Sequence, residues 1–438
     1  MNATDRRRIL GLALPAALNA LLDMLQVMVD LIMVGTLGAA AVAAVGLGLQ
    51  SLMFLFAILS MLHVGTNALL SRFVGAHRRR RAALGFATLW RFAALLSIPA
   101  MLLWHHGAAS IYYWFGTAEA TTTLGVGYVH TLTWMIPFVF VKLVAVAALN
   151  AAGDTKTPMY VKLVSIVLNA ALNALLIFGL YGFPKLGVEG AAVATVIVTI
   201  LETFVYAMLY LRNATYYRPL WGFSKRLLMR ALRVGWPASA ERALTFGSFM
   251  LFTAVIAHFG TETLAGYQIG LRIEGLAFMP GIGFTIAAMT LMGQGLGAKN
   301  PGQAKADVLA VLKYAVALMF ALSFVMIFTP EPIVRLFTDD DAVIRQAVLY
   351  LRIVGLSQIP LAFSFVLSGA LRGAGDTKTT LRINLISLWA VRIVPAWIAA
   401  TISGEVLYVY LAMIADTFVK GWWLWRRFQS DAWKTIKV

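Results

Sequence analysis

Twelve stretches of the chain are long and apolar enough to cross a lipid bilayer, and nothing else in the sequence restricts the fold so severely. They lie near residues 9–33, 43–70, 85–104, 126–149, 158–179, 188–211, 230–258, 264–291, 306–328, 343–371, 380–401 and 406–425. A bilayer core takes about 20 apolar residues per helix. Inside lipid every backbone N–H and C=O must be satisfied by the chain itself, so only helices and closed barrels can cross. The stretches are long, unbroken and rich in Leu, Ala and Met, without the alternation of barrel strands. With 61% hydrophobic and 13% charged residues overall, lipid is the solvent for most of the chain. The expected fold class is an all-α integral membrane protein with 12 transmembrane helices.

A net charge of +17 can point to nucleic acid, but here the cations sit at alternate helix ends. Arg6–Arg8, Arg78–Arg81, Lys156, Arg212, Arg218, Lys225, Arg226, Lys299, Lys305, Arg372, Lys378, Arg426, Arg427 and Lys434 fall on one side. The other side carries Glu119, Glu189, Glu262, Glu331, Asp339–Asp341 and Glu405, with Lys185 and Arg335 as its cations. By the positive-inside rule both termini are expected in the cytoplasm, with the protein multi-pass in the cell (inner) membrane and no nucleic-acid partner. The first run follows a basic N-terminus, as in a signal peptide, but is about 25 residues long without an A-x-A cleavage site, and is expected to be a retained helix. The absence of cysteine excludes disulfides, thiolate metal sites and a Cys nucleophile.

A shift of 222 residues lays Pro15 on Pro237, Gly38 on Gly260, Gly48 on Gly270 and Gly75 on Gly297, and Gly153-Asp-Thr-Lys-Thr157 on Gly375-Asp-Thr-Lys-Thr379. Gly and Pro mark backbone geometry, so their coincidence at one offset indicates an internal duplication. The expected organisation is an N-lobe (1–211, spans 1–6), a cytoplasmic linker (212–229) and a C-lobe (230–438, spans 7–12). Six spans per half give two parallel six-helix bundles related by a pseudo-twofold axis, with the substrate path expected between them. The repeated pentapeptide suits a turn: Gly153 and Gly375 as helix C-caps, and Thr157 as an N-cap before Pro158. A phosphate loop would need G-x-x-x-x-G-K after a strand, and neither is present.

A charged group inside a span costs about 2.5–3.5 kcal/mol on insertion scales, which makes it a functional candidate by default. Asp30 lies in span 1, with Asn19 three turns earlier on nearly the same face. Asn169 and Asn173 are spaced i, i+4 in span 5, and Thr195 lies at a corresponding depth in span 6. Their oxygens suit a proton or Na⁺; the alternative is that the asparagines bond neighbouring helices. Glu241 in span 7 shares a face with Thr245 and Ser248, as a cleft-lining stripe or as the partner of Arg242 or of span 8. Lys142 and Glu202, opposite in sign and mid-span, are an expected intramembrane pair, unless Lys142 lies near Asp30 in place of a bound cation. Arg272, Glu274 and Arg392 are expected to be scaffold, and His63 and His130 solitary core histidines. Some of Met250, Phe252, Phe278, Met279, Phe284, Met289 and Met292 could line an adaptable apolar surface. Pro15, Pro237, Pro280 and Pro360 are expected helix breaks.

The duplicated six-plus-six plan resembles the multidrug and toxic compound extrusion (MATE) transporters. So do Pro15 with residues 29–38, Leu149 to Pro158, Asn169-x-x-x-Asn173-x-x-x-Ile177-Phe-Gly179, Gly187 to Thr195, Pro237 to Glu241, Gln268 to Glu274 and Gly293 to Gly297. The pattern is nearer the prokaryotic branches, the DNA-damage-inducible (DinF) type among them. The resemblance implies a cation-coupled antiporter, working as a monomer without cofactors, that exports hydrophobic, often cationic small molecules by alternating access. It implies a cation-coupling site at Asp30, Asn169, Asn173 and Thr195, a second-lobe site at Glu241, and no metal beyond Na⁺ at Asp30. Many relatives carry an aspartate where this chain has Asn173, and some an aspartate in span 10 that is absent here. H⁺ is therefore preferred over Na⁺ as the coupling ion. A flippase for lipids or lipid-linked oligosaccharides, within the same superfamily, would call for an arginine-lined cleft and extra spans. An enzyme would need a motif such as H-E-x-x-H or G-x-S-x-G, and neither occurs.

Overall fold

A computed structural model describes residues 3–213 and 215–436, with the side chains of residues 3–6, 53, 54 and 111 outside the description, that of Arg6 included. The helices are α1 (Ala3–Gly35), α2 (Ala39–Gly75), α3 (Arg79–Trp114), α4 (Glu119–Thr133), α5 (Ile136–Ala152), α6 (Lys156–Phe178), α7 (Val188–Leu211), α8 (Lys225–Ala257), α9 (Thr261–Gly297), α10 (Pro301–Phe328), α11 (Pro330–Val334), α12 (Asp341–Leu356), α13 (Gln358–Gly373), α14 (Thr377–Ile386), α15 (Val394–Ile402) and α16 (Val406–Gln429). Among the described residues, nine segments are long and apolar enough to be spans, and α4 with α5 and α12 with α13 make two more, bent by 51° and 54°. The twelfth is α16, 24 residues long and less apolar because Asp416 and Lys420 lie in its middle.

The two bends fall at equivalent places, at Met135 just before Pro137 and at Ser357 just before Pro360. Pro15, Pro237 and Pro280, by contrast, lie inside continuous helices. A single missing hydrogen bond is tolerated there because the turns on either side remain closed. One irregularity has no counterpart in the first half: between α14 and α15 the chain winds as a π-helix over Ser387–Ile393, whereas the equivalent part of α6 is regular.

The repeated pentapeptide does the same work twice. Gly153 and Gly375 turn the chain with φ of 91° and 84°, a left-handed conformation that a Cβ would strain. Thr157 is not the cap: the Asp154 carboxylate accepts from the Thr157 N–H at 3.0 Å and from its hydroxyl at 2.6 Å. A carboxylate is a favourable acceptor at the positive end of a helix. In the second copy the Thr379 hydroxyl donates to Asp376 at 2.6 Å, and Arg427 donates to the other oxygen at 2.7 Å.

Two compact units emerge, one from Leu18 to Gly235 and one from Trp236 onward together with the residues up to Ala17. The sequence halves mark the duplication, whereas the units are cut beside the equivalent prolines Pro15 and Pro237. Thus Ile9, Leu12 and Ala13 belong to the apolar core of the C-terminal unit with Phe284, Leu291 and Val366, and Arg8 lies 3.6 Å from Asp307. In the N-terminal unit α5 packs between α2 and α3, and α6 packs on α7. There Gly190 sits directly on the main chain of Leu176, so any side chain would push apart the two helices that carry Asn173 and Thr195.

Candidate ion-coupling site

Asp30 on α1 meets α6 within the N-terminal unit. The Asn173 amide donates to Asp30 Oδ1 at 2.5 Å and to Asn169 Oδ1 at 3.3 Å. Both asparagines are buried, at 1% exposure or less, and Asp30 is partly buried. Asn173 Oδ1 and Asn169 Nδ2 are buried without a hydrogen-bond partner among the described residues. No lysine or arginine lies within 4.0 Å of Asp30 among them either. The carboxylate thus accepts from a neutral amide and makes no ion pair among the described residues, while Lys162 acts on it electrostatically from farther away. Thr195 does not join this set: its hydroxyl donates to the Ala191 carbonyl one turn back, at 3.0 Å.

Lys142 pairs with Glu202, so it does not sit beside Asp30. A second cation, Lys162, reaches across from α6 to α1, 2.6 Å from both Asp23 and Gln26. The sequence flags Lys162 and Asp23 by the same rule that singles out Asp30, namely charge inside an apolar run, yet periodicity does not reveal that the two meet.

In the C-terminal unit Glu241 pairs neither with Arg242 nor with span 8. Its carboxylate accepts from Arg372 at 2.6 Å and from Asn384, while Arg242 stacks over Phe246. These partners come from α13 and α14, elements that span 7 touches only through tertiary packing. Thr245 and Ser248 bond back to their own helix. Deeper in this unit Asp416, with 0% exposure, lies 2.8 Å from Arg392 and 3.4 Å from Lys420 and accepts from Ser387. The π-helical stretch supplies both Ser387 and Arg392. Glu274 accepts from Tyr350. His130 is not solitary, since its ring stacks on His105 with centroids 4.4 Å apart. Phe252, Phe284, Met289 and Met292 are core residues of this unit, and Met250 faces outward.

These positions can be set against known proteins. The MatE family model matches residues 15–175 and again 237–398, two copies starting at the equivalent prolines. The chain belongs to the MATE family. Among curated relatives it is 30% identical to a probable multidrug resistance protein NorM of Thermotoga maritima, over 99% of this chain and 94% of that protein. It is also 30% identical to the probable NorM of Bradyrhizobium diazoefficiens, over 98% and 94%. Its fold matches a MOP superfamily transporter from Pyrococcus furiosus with a TM-score of 0.91, at 22% identity over 99% and 97% of the two chains. A multidrug resistance MATE family transporter solved in an outward-facing conformation gives 0.91, at 23% identity over 99% and 97%. MATE membership makes the protein a multi-pass membrane transporter rather than an enzyme, with the twelve-span fold of that family.

Proposed function

We propose that the protein is an antiporter of the cell (inner) membrane, with both termini in the cytoplasm. It exports hydrophobic, often cationic drugs and toxins in exchange for a cation taken up at Asp30. The names of the NorM relatives support drug export over lipid flipping. The observation that carries the coupling role is that Asp30 accepts from an amide and makes no direct ion pair among the described residues, Lys162 being held by Asp23 and acting on Asp30 only from farther away. An ionised carboxylate partly withdrawn from water and unpaired is costly. One proton, or one Na⁺, removes that cost when it binds and restores it when it leaves, so the state of Asp30 can bias the conformations of alternating access.

H⁺ is the preferred coupling ion. Only one carboxylate stands at the site, and Asn169 and Asn173 contribute neutral oxygens. Na⁺ would find one charged ligand, with Asn173 Oδ1 as a neutral one. Each inward charge contributes about 2.3 kcal/mol per 100 mV of membrane potential in addition to its own gradient. The test is ethidium export from proteoliposomes under separate proton and Na⁺ gradients. The proposal expects export with an inward proton gradient alone; export driven only by ATP, or insensitive to both ions, contradicts it.

A further inference from the structure

The N-terminal unit holds a basic pocket that ion coupling does not use. It is a cavity of about 410 Å³ lined by Arg79, Asn213, Thr215, Tyr216 and Arg218. The Arg79 guanidinium lies 5.4 Å over the Tyr216 ring, and the Tyr216 hydroxyl is buried with no hydrogen-bond partner among the described residues. Neither arginine is within 4.0 Å of a carboxylate among those residues. The sequence offers few acids to supply one: there is no Asp or Glu from 31 to 118 or from 203 to 240, the segments that contribute every lining residue. Arg79 also opens α3, whose first turn has no acidic residue, so cations crowd the end of a helix dipole that favours anions. Two planar forks and a phenol around one cavity match a phosphate group, while the Thr215 hydroxyl donates to the Tyr217 carbonyl at 3.0 Å and shapes the strap.

The strap that forms the pocket is fixed. The buried Tyr217 hydroxyl donates to the Ala148 carbonyl at 2.8 Å, and Arg91 donates to the carbonyls of Gly222 at 2.6 Å and Leu220 at 3.1 Å. Arg91 also stacks under Trp221, whose indole is 97% exposed, with Phe223 half-exposed beside it in sequence. An indole held outward at the end of the spans is typical of the lipid headgroup zone. Basic pockets at that depth on the cytoplasmic side suit anionic headgroups.

We propose that this pocket binds the phosphate of an anionic phospholipid, with Arg79 and Arg218 gripping the phosphate and Tyr216 donating to it, while Trp221 and Phe223 lie at the boundary between headgroups and acyl chains. A soluble phosphate would share the polar contacts but gain nothing from the two exposed aromatics.

The test is native mass spectrometry of the full chain titrated with phosphatidylglycerol, with phosphatidylcholine and inorganic phosphate as separate arms. The proposal expects Arg79→Ala/Arg218→Ala to weaken phosphatidylglycerol binding about tenfold or more, and Tyr216→Phe about threefold. Lys225→Ala/Arg226→Ala, with the same loss of charge outside the pocket, should change it by less than about twofold. If the alanine pair does not fold, Arg79→Lys/Arg218→Lys takes its place, with an expected loss of about fivefold because the charge stays and the fork goes. Equal losses in pocket and control variants, or unchanged binding in the lysine pair, overturn the proposal. So does phosphatidylcholine binding as tightly, and so does inorganic phosphate binding as tightly or displacing the lipid, which would make this a soluble-anion site.

Discussion

In the N-terminal unit the carboxylate of Asp30 accepts from an amide and makes no ion pair among the described residues, whereas in the C-terminal unit Glu241 and Asp416 each lie against a cation of their own chain. The backbone plan of the two is shared down to the left-handed glycines of the pentapeptide and the bends at Met135 and Ser357. Even the polar link between the first and fifth spans of each half recurs. Lys162 on α6 holds Asp23, and Asn384, its equivalent 222 residues on, holds Glu241. The polarity around these links differs. The position equivalent to Asp30 is Phe252, a core residue, and the π-helical stretch that brings Arg392 to Asp416 has no equivalent in α6. Duplication therefore conserved what shapes the backbone, while the placement of charge diverged: Glu241, Asp416 and Glu202 are ion-paired within their units, whereas Asp30 in one and Glu274 in the other are held by neutral donors.

The largest effect should come from stranding a charge that the C-terminal unit neutralises. Arg372→Ala leaves Glu241 buried without its cation and is expected to cost about 3–5 kcal/mol, with Arg372→Met/Glu241→Met recovering most of it. Thermal unfolding in detergent measures both. A loss no greater than that of Asp30→Asn would erase the contrast between the units. Lys142→Met tests the internal pair of the N-terminal unit and should cost about 2–3 kcal/mol, since Glu202 keeps Lys162 in its vicinity. A double-mutant cycle with Glu202→Gln should return a coupling of similar size.

Gly153→Ala and Gly375→Ala probe what the units share. Each should cost about 1–2 kcal/mol through left-handed strain, by equal amounts; a clear inequality in unfolding midpoints would show that the duplicated turns are not under the same constraint. The smallest effect lies outside the membrane. Asp431 is held below the usual carboxylate range by hydrogen bonds from Lys434 and Lys305. A depressed value gives a stabilisation that is present above about pH 4, the ordinary aspartate value, and is lost as the pH falls through the lower folded value. Asp431→Asn should therefore lower the unfolding midpoint slightly at pH 7, leave it nearly unchanged at pH 3, and so flatten the acid limb measured between them.

The spans, the duplication and the left-handed glycines were legible in sequence because each leaves a local mark: an apolar run, a repeated Gly or Pro, a fixed backbone angle. Asp30 was legible for the same reason, as a charge inside an apolar run. Pairing is carried only in part: Lys142 and Glu202 could be matched by opposite sign at mid-span, and they do pair, but the other partners could not. Lys162 and Asp23 are 139 positions apart, Glu241 and Arg372 131, and only tertiary packing decides which cation meets which acid. Thr195 shows the converse. Its spacing suits a ligand, but a threonine in a helix can satisfy its hydroxyl one turn back, and here it does. Thr157 was misread as a cap because its neighbour Asp154 offers the stronger acceptor.

The most direct test compares Asp30→Asn with Glu241→Gln for proton-gradient-driven ethidium export and for counterflow without a gradient, in the same proteoliposomes. A single coupling carboxylate predicts that Asp30→Asn abolishes gradient-driven export while keeping counterflow, and that Glu241→Gln retains gradient-driven export. Undiminished gradient-driven export by Asp30→Asn, or its loss only in Glu241→Gln, would contradict the assignment of coupling to the N-terminal unit.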